Sequence, residues 1–106
     1  MVQRFSAGAM GIPFIPTRTM LGSDMLNKEG FSLELRKSDP KIASKKFAVM
    51  ECPFTRDKIV LLPAIQPDVT IIHAQIVDAQ GTVRIYGQNF GDEQQAKAAK
   101  KLIVTC

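Results

Sequence analysis

From Pro67 to Thr105 the sequence sets strand, turn, strand, helix and strand patterns in direct succession, and that order restricts the fold more than any other feature. PDVTIIHAQIV puts Val69, Ile71, His73 and Gln75 on one side and Thr70, Ile72, Ala74 and Ile76 on the other, the two-residue period of a strand. Both sides are largely apolar, which predicts a central strand. At Asp78-Ala79-Gln80-Gly81 the chain reverses, because Asp accepts local amides and Gly tolerates positive φ. TVRIYG resumes the extended pattern. GDEQQAKAAKK then predicts a short helix capped by Asp92, with Gln95 returning the bond as in a capping box and Lys97, Lys100 and Lys101 near its negative end. LIVT follows as a β-branched, apolar strand. This succession predicts the α/β class, as an open, mostly parallel sheet with flanking helices.

Upstream, VQRFSAGAMG aligns Val2, Phe5 and Ala9 at helical spacing, with Gly8 and Gly11 allowing close backbone approach. IPFIPTR stops that helix, since Pro13 and Pro16 lack an amide donor. TMLGSDMLNKEG holds a short amphipathic stretch with a turn or cap at Gly22, Ser23 and Asp24. FSLEL reads as a strand fragment inside a polar loop, Asp39-Pro40 as a turn, and Lys37, Lys41, Lys45 and Lys46 as local positive charge open to a phosphate contact. FAVMEC and KIVLLPA read as two strands joined by PFTRD.

The net charge of +4 is spread along the chain, and one Tyr with no Trp leaves little surface for stacking bases, which argues against a nucleic-acid partner. A mildly basic balance suits an anionic, phosphate-bearing ligand instead. Cys52 and Cys106 have neither metal-ligand spacing nor a disulfide framework, as expected of a reducing cytoplasm. No run is long enough to span a membrane and no signal-peptide pattern opens the chain, so a soluble cytoplasmic protein is expected. No Ser-His-Asp order, Gly-rich phosphate loop or metal cluster is present in the sequence.

Position singles out several candidates for substrate binding. His73 and Gln75 are the strongly polar side chains on their face of the strand, near its carboxyl end, where ligands bind in open α/β sheets. They either reach into a crevice or bond neighbouring loop backbone. Gly11, Ile12, Pro13 and Phe14 form a stiff, donor-poor segment suited to the wall of an acyl or pantetheine channel, or to packing against a neighbouring domain. Ser23 is placed to donate to a carboxylate or phosphate.

AGAMGIPFIPTRTMLGSD, then CPFTRDKIVLLPA, then PDVTIIHAQIVDAQGTVRIYG with the AAKKLIVTC ending resemble the α subunit of family I coenzyme A-transferases of the glutaconate type. Residues 27–46 carry little of the match. The resemblance implies an open α/β subunit that pairs with a related β subunit in a hetero-oligomer, and takes a coenzyme A thioester as substrate with no permanently bound cofactor or metal. It implies ping-pong transfer of coenzyme A to a carboxylate such as a short dicarboxylate or fatty acid. The attacking glutamate lies on the β subunit, so none of Glu29, Glu34, Glu51 or Glu93 is expected to be the nucleophile. A thioester hydrolase or ring-opening enzyme of the same fold, or a non-catalytic partner-binding fragment, stays open beside it. The family's α subunits carry a Gly-rich segment before the matched region and continue past VTC. Residues 1–106 are therefore expected to be one partial domain, truncated at both ends and inactive alone.

Overall fold

The computed structural model describes residues 1–28 and 30–106, which divide into two units: Met1–Pro13 with Ala64–Cys106, and Phe14–Pro63. In the first, β4 (Val69–His73) and β7 (Lys101–Thr105) pair in parallel, with Ile71 opposite Ile103 and His73 opposite Thr105. Parallel neighbours need a long crossover. Residues 74–100 supply it as β5 (Ile76–Val77), β6 (Val83–Arg84) and α3 (Asp92–Ala98).

Thr70 and Ile72 of β4, with Ala74 just beyond it, point inward and are buried, whereas Val69, Ile71 and His73 point out. The expected central strand is thus covered on one side only, and among the described residues β7 is its one ladder partner. The predicted 67–77 strand is also broken between His73 and Ile76, where the Gln75 side chain accepts the Tyr86 amide at 3.0 Å. β5 and β6 close around the expected reversal. The Asp78 carboxylate accepts the amides of Gln80 (2.9 Å) and Thr82 (2.7 Å), and Gly81 takes φ 89°. The Thr82 amide foremost, then its hydroxyl, hold the Asp78 carboxyl below its usual range.

α3 forms where expected but with a different cap. Asn89 Oδ1 accepts the amides of Gly91 (3.2 Å) and Asp92 (3.0 Å), and Gly91 is the N-cap at φ 99°. That left-handed residue turns Asp92 into the first helical turn, where its charge faces the positive end of the dipole instead of capping it. Lys97 pairs with Glu93 one turn back. Lys100 pairs with Asp68 at 3.0 Å, and Lys101 already belongs to β7, so of the three lysines only Lys97 lies in the last turn.

α1 (Val2–Met10) packs on α3. Ala7 and Gly8 are its buried residues, not the expected Val2, Phe5 and Ala9 side. Gly8 explains the rotation: a Cβ there would lie 2.0 Å from the Ile65 carbonyl oxygen and 3.3 Å from Ala98 Cβ. The Ile65 segment is tied to the helix by its amide, which donates to Arg4 O at 3.0 Å. Gly11, at φ 72°, ends the helix in open space, so its requirement is conformational and not one of close approach.

In the second unit β1 (Phe14–Thr17), β3 (Lys58–Pro63) and β2 (Ala48–Glu51) form an antiparallel sheet with β3 in the middle. Val60 and Leu62 are buried on one face of β3. Residues 52–57 join β2 to β3 through two 2.8 Å bonds, Cys52 amide to Asp57 O and Arg56 amide to Cys52 O. The FSLEL segment, expected as a strand, lies within α2 (Leu33–Ser38) and its lead-in. Ser32 Oγ caps the helix by accepting the Leu35 amide at 3.3 Å, with Glu34 in the first turn and Arg36 and Lys37 in the last. Those charges match the helix dipole, and five residues are too few for alternation to outweigh a cap. The Asp39-Pro40 turn is present, with Asp39 Oδ1 accepting the Lys41 amide at 2.9 Å.

The α/β class therefore holds. Parallel pairing is confined to β4 and β7, and the other three described ladders are antiparallel; short reversals, which permit only antiparallel partners, join β2 to β3 and β5 to β6. Among the described residues no helix is long and apolar enough to cross a membrane.

Gly8→Ala is expected to destabilise the protein by about 1–3 kcal/mol, since a backbone carbonyl cannot give way. Gly11→Ala is expected to cost about 1 kcal/mol through its left-handed backbone alone, and Gly11→Asn less. Urea denaturation of the three variants checks the order.

Candidate functional site

Period-two alternation sends Ile59 and Leu61 to the face of β3 opposite Val60 and Leu62. The register sets Pro16 beside Leu61, Met50 beside Ile59 and Phe14 beside Pro63, so three adjacent strands present apolar side chains to one side. Pro16 fits because β1 is an edge strand of its sheet. The result is an open cleft of about 530 Å³ with Phe14, Pro16, Met50, Ile59 and Leu61 as its floor. That volume lies within the range of small-ligand sites. Phe54, 93 % exposed at the tip of the 52–57 loop, stands at the rim with Cys52 and Thr55.

Arg18 is the charged side chain lining this cleft, and its Nη2 donates to Asp57 Oδ2 at 2.8 Å. The two side chains are 68 % and 58 % exposed, so the pair is worth about 0–1 kcal/mol and an anionic ligand can compete for the guanidinium. Thr17 and Thr19 share a hydroxyl bond of 3.0 Å on either side of it in the chain. The Cys52 thiol is held below its ordinary value, chiefly by hydrogen bonding from the Thr55 side chain and then from the Thr55 and Phe54 backbone.

The expected binding residues are not gathered in one place. Phe14 lies in the cleft. Gly11, Ile12 and Pro13 belong to the first unit, where the amides of Gly11 and Ile12 bond Gly8 O and Ala7 O, and Pro13 O accepts the Ala64 amide at 3.0 Å. Ser23 belongs to the second unit but is not among the cleft residues, and its hydroxyl donates to Met20 O at 2.7 Å. His73 Nδ1 bonds Thr105 Oγ1 at 3.1 Å across the parallel ladder, which leaves Nε2 as the nitrogen for any ligand. Gln75 Oε1 takes the Tyr86 amide, so a ligand would meet its NH₂ group.

Sequence reasoning missed Arg18, Cys52 and Phe54. A signal for the first was present: in FIPTR, Phe14, Pro16 and Arg18 recur every second residue and therefore share one side of the extended chain. The loop residues gave none, because their rim position depends on which face of the sheet the hairpin curls over. A smaller cleft of about 320 Å³ in the first unit has Ile72, Val83, Ile85 and Leu102 as walls, but two polar groups at its lip are spent, Asn89 on capping α3 and Glu93 on Lys97. Among the described residues no His, Cys, Asp and Glu group is arranged to hold a metal. The larger cleft can therefore accept an apolar chain with an anionic end, and its lining residues include no nucleophile–base pair.

The whole chain, residues 1–106, matches the coenzyme A transferase family. It is 46% identical over 101 residues to the A-type subunit of glutaconate CoA-transferase of Acidaminococcus fermentans, covering 94% of this chain and 32% of that one. The crystal structure of that transferase superposes with a TM-score of 0.88 at 43% identity, over 99% of this chain and 33% of that one. The chain is 40% identical to the A-type subunit of 3-oxoadipate CoA-transferase of Pseudomonas knackmussii, over 95% of this chain and 30% of that one. The decarboxylase AibA/AibB is similar at 31% identity with a TM-score of 0.64, over 97% of this chain and 33% of that one. The chain thus spans about a third of the length of these two curated relatives.

The cleft rim also predicts a reactivity. Because the Thr55 hydroxyl lowers the Cys52 pKa, Thr55→Val is expected to move the pH–rate profile for iodoacetamide alkylation of Cys52 to higher pH. Near neutral pH the rate falls a few-fold while Cys106 is unchanged, as peptide mass spectrometry will read.

Proposed function

The chain belongs to the coenzyme A transferase family, and on that footing we propose that it is part of the A-type subunit of an enzyme moving coenzyme A from an acyl thioester to a carboxylate. The observation carrying this reading is the match along all of residues 1–106, joined to two relatives named as A-type subunits of such transferases. Both are named for acids with two carboxyl groups, which supports a short dicarboxylate as the acceptor or acyl group; a fatty acid is the other substrate class that fits an apolar cleft. The thioester is substrate, with no cofactor held between turnovers.

In the proposed cycle a glutamate carboxylate on the β-type partner attacks the thioester carbonyl, the C–S bond breaks, and coenzyme A leaves as thiolate from an acyl–glutamyl anhydride. The thiolate then attacks the glutamyl carbonyl and releases the donor carboxylate, so the enzyme holds coenzyme A as a thioester. The acceptor carboxylate runs the two steps in reverse. A covalent carrier divides one difficult exchange into easier ones.

This chain's acidic residues suit a supporting part. Glu34 and Glu51 are exposed, Glu93 is paired with Lys97, and none of the three lines the cleft. Glu29 lies outside the described residues. The proposed task of the chain is to bind and position: Phe14 as a wall beside the acyl or pantetheine chain, Gly11, Ile12 and Pro13 as a stiff lead into it, and Ser23, His73 and Gln75 as polar contacts. An apolar wall that excludes water strengthens each polar contact inside it. The outward apolar face of Val69, Ile71 and Ile103 fits a chain that works within a larger hetero-oligomer. A second reading, chemistry on a coenzyme A thioester without a carboxylate acceptor, draws support from the 31% identity to a decarboxylase.

Borohydride added to the complex of the complete protein with its β-type partner and acyl-CoA tests the proposal. Reduction of a glutamyl thioester on the partner, with this chain unmodified, is the expected result. A trapped adduct on Glu34, Glu51 or Glu93 would refute the assignment, and acceptor-independent release of coenzyme A would favour the second reading.

A further inference from the structure

We infer that Arg18 selects dicarboxylic over monocarboxylic substrates by pairing with the carboxylate remote from the reacting one. The inference rests on the transferase reading for its setting. Alternation along FIPTR places Arg18 in line with Phe14 and Pro16, and all three line the cleft. Among the lining residues it is the only cation, so an apolar chain lying on Phe14, Pro16 and Leu61 meets its first positive charge there.

Asp57 shows how that charge is presented. Its Oδ2 sits 2.8 Å from Arg18 Nη2, the distance of a charge-assisted bond. The carboxylate is carried on a loop pinned by two 2.8 Å backbone bonds, so the guanidinium meets it beside residues 52–57. Asp57 engages one nitrogen of a group with five donors, which leaves the rest of the fork for a second carboxylate. Both partners are more than half exposed, so rearrangement of the pair costs little. A monocarboxylate of the same length would set a methyl group against the guanidinium, and gain nothing from it.

Glutarate and valerate, which have equal carbon chains, separate the two cases as acceptors for the assembled two-subunit enzyme. Arg18→Gln is expected to lower kcat/KM for glutarate about 10–100-fold, the range for losing a hydrogen bond to a charged group, and to leave valerate within about twofold. Asp57→Asn, which frees the fork, is expected to shift preference the other way, towards glutarate. Calorimetric binding of each acid to the same proteins should follow the same pattern, and it decides the matter even if the wild-type complex transfers no coenzyme A, an outcome that would reject the transferase reading alone. Equal losses for both acids, an unchanged ratio in both variants, or a uniform rise in KM for every acyl-CoA, as a phosphate contact would give, overturns the inference.

Discussion

The parallel pairing of β4 with β7 sets the terms for the first unit. Two strands running the same way cannot be joined by a tight turn, so the 27 residues between His73 and Lys101 must leave the sheet and return to its starting edge. They do so through the β5–β6 hairpin and α3, which comes back against β4 and α1. The helix contact depends on small residues. Ala7, Gly8, Gly91 and Ala98 are all buried, and Gly8 lets the backbone at Ile65 approach closer than any Cβ permits.

The second unit solves a different problem with antiparallel strands. Val60 and Leu62 bury one face of β3, and the opposite face remains open as the apolar cleft. A contiguous apolar surface of this kind is uncommon on a protein without a use for it. Its rim has the complementary property: a cation, hydroxyls and a thiol of lowered pKa, but no base placed to activate a nucleophile. Walls without a nucleophile suit the proposed reading, in which a partner supplies the reacting carboxylate.

Local chemistry explains which parts of this were legible in the sequence. The Asp78–Gly81 reversal, the β2 and β3 strands and the LIVT strand were readable because each depends on residues close in sequence. The cap of α3 was misread since Gly91 displaced Asp92 by one position and Asn89 took over the bonding. FSLEL was misread because a five-residue alternation cannot outweigh the Ser32 cap and charges aligned with a helix dipole. The buried face of α1 was set by Gly8 meeting Ile65, a contact between residues 57 positions apart that no periodicity contains. Among the site candidates only Phe14 was placed in the cleft by reading the chain, and Arg18 was overlooked although the same alternation carries it. His73 and Gln75 turn out to bond Thr105 and Tyr86, the local satisfaction that polar groups at a strand end commonly find.

If the cleft of the second unit lies against the thioester substrate, ligand binding must quieten the backbone that forms its wall and rim. Hydrogen–deuterium exchange on the complete protein with its proposed partner subunit, with and without a non-reacting acyl-CoA analogue, addresses this directly. Slower exchange at the amides of residues 14–18 and 52–57 on ligand binding is the predicted result. Unchanged exchange across both segments, with protection confined to other parts of the complex, would contradict it.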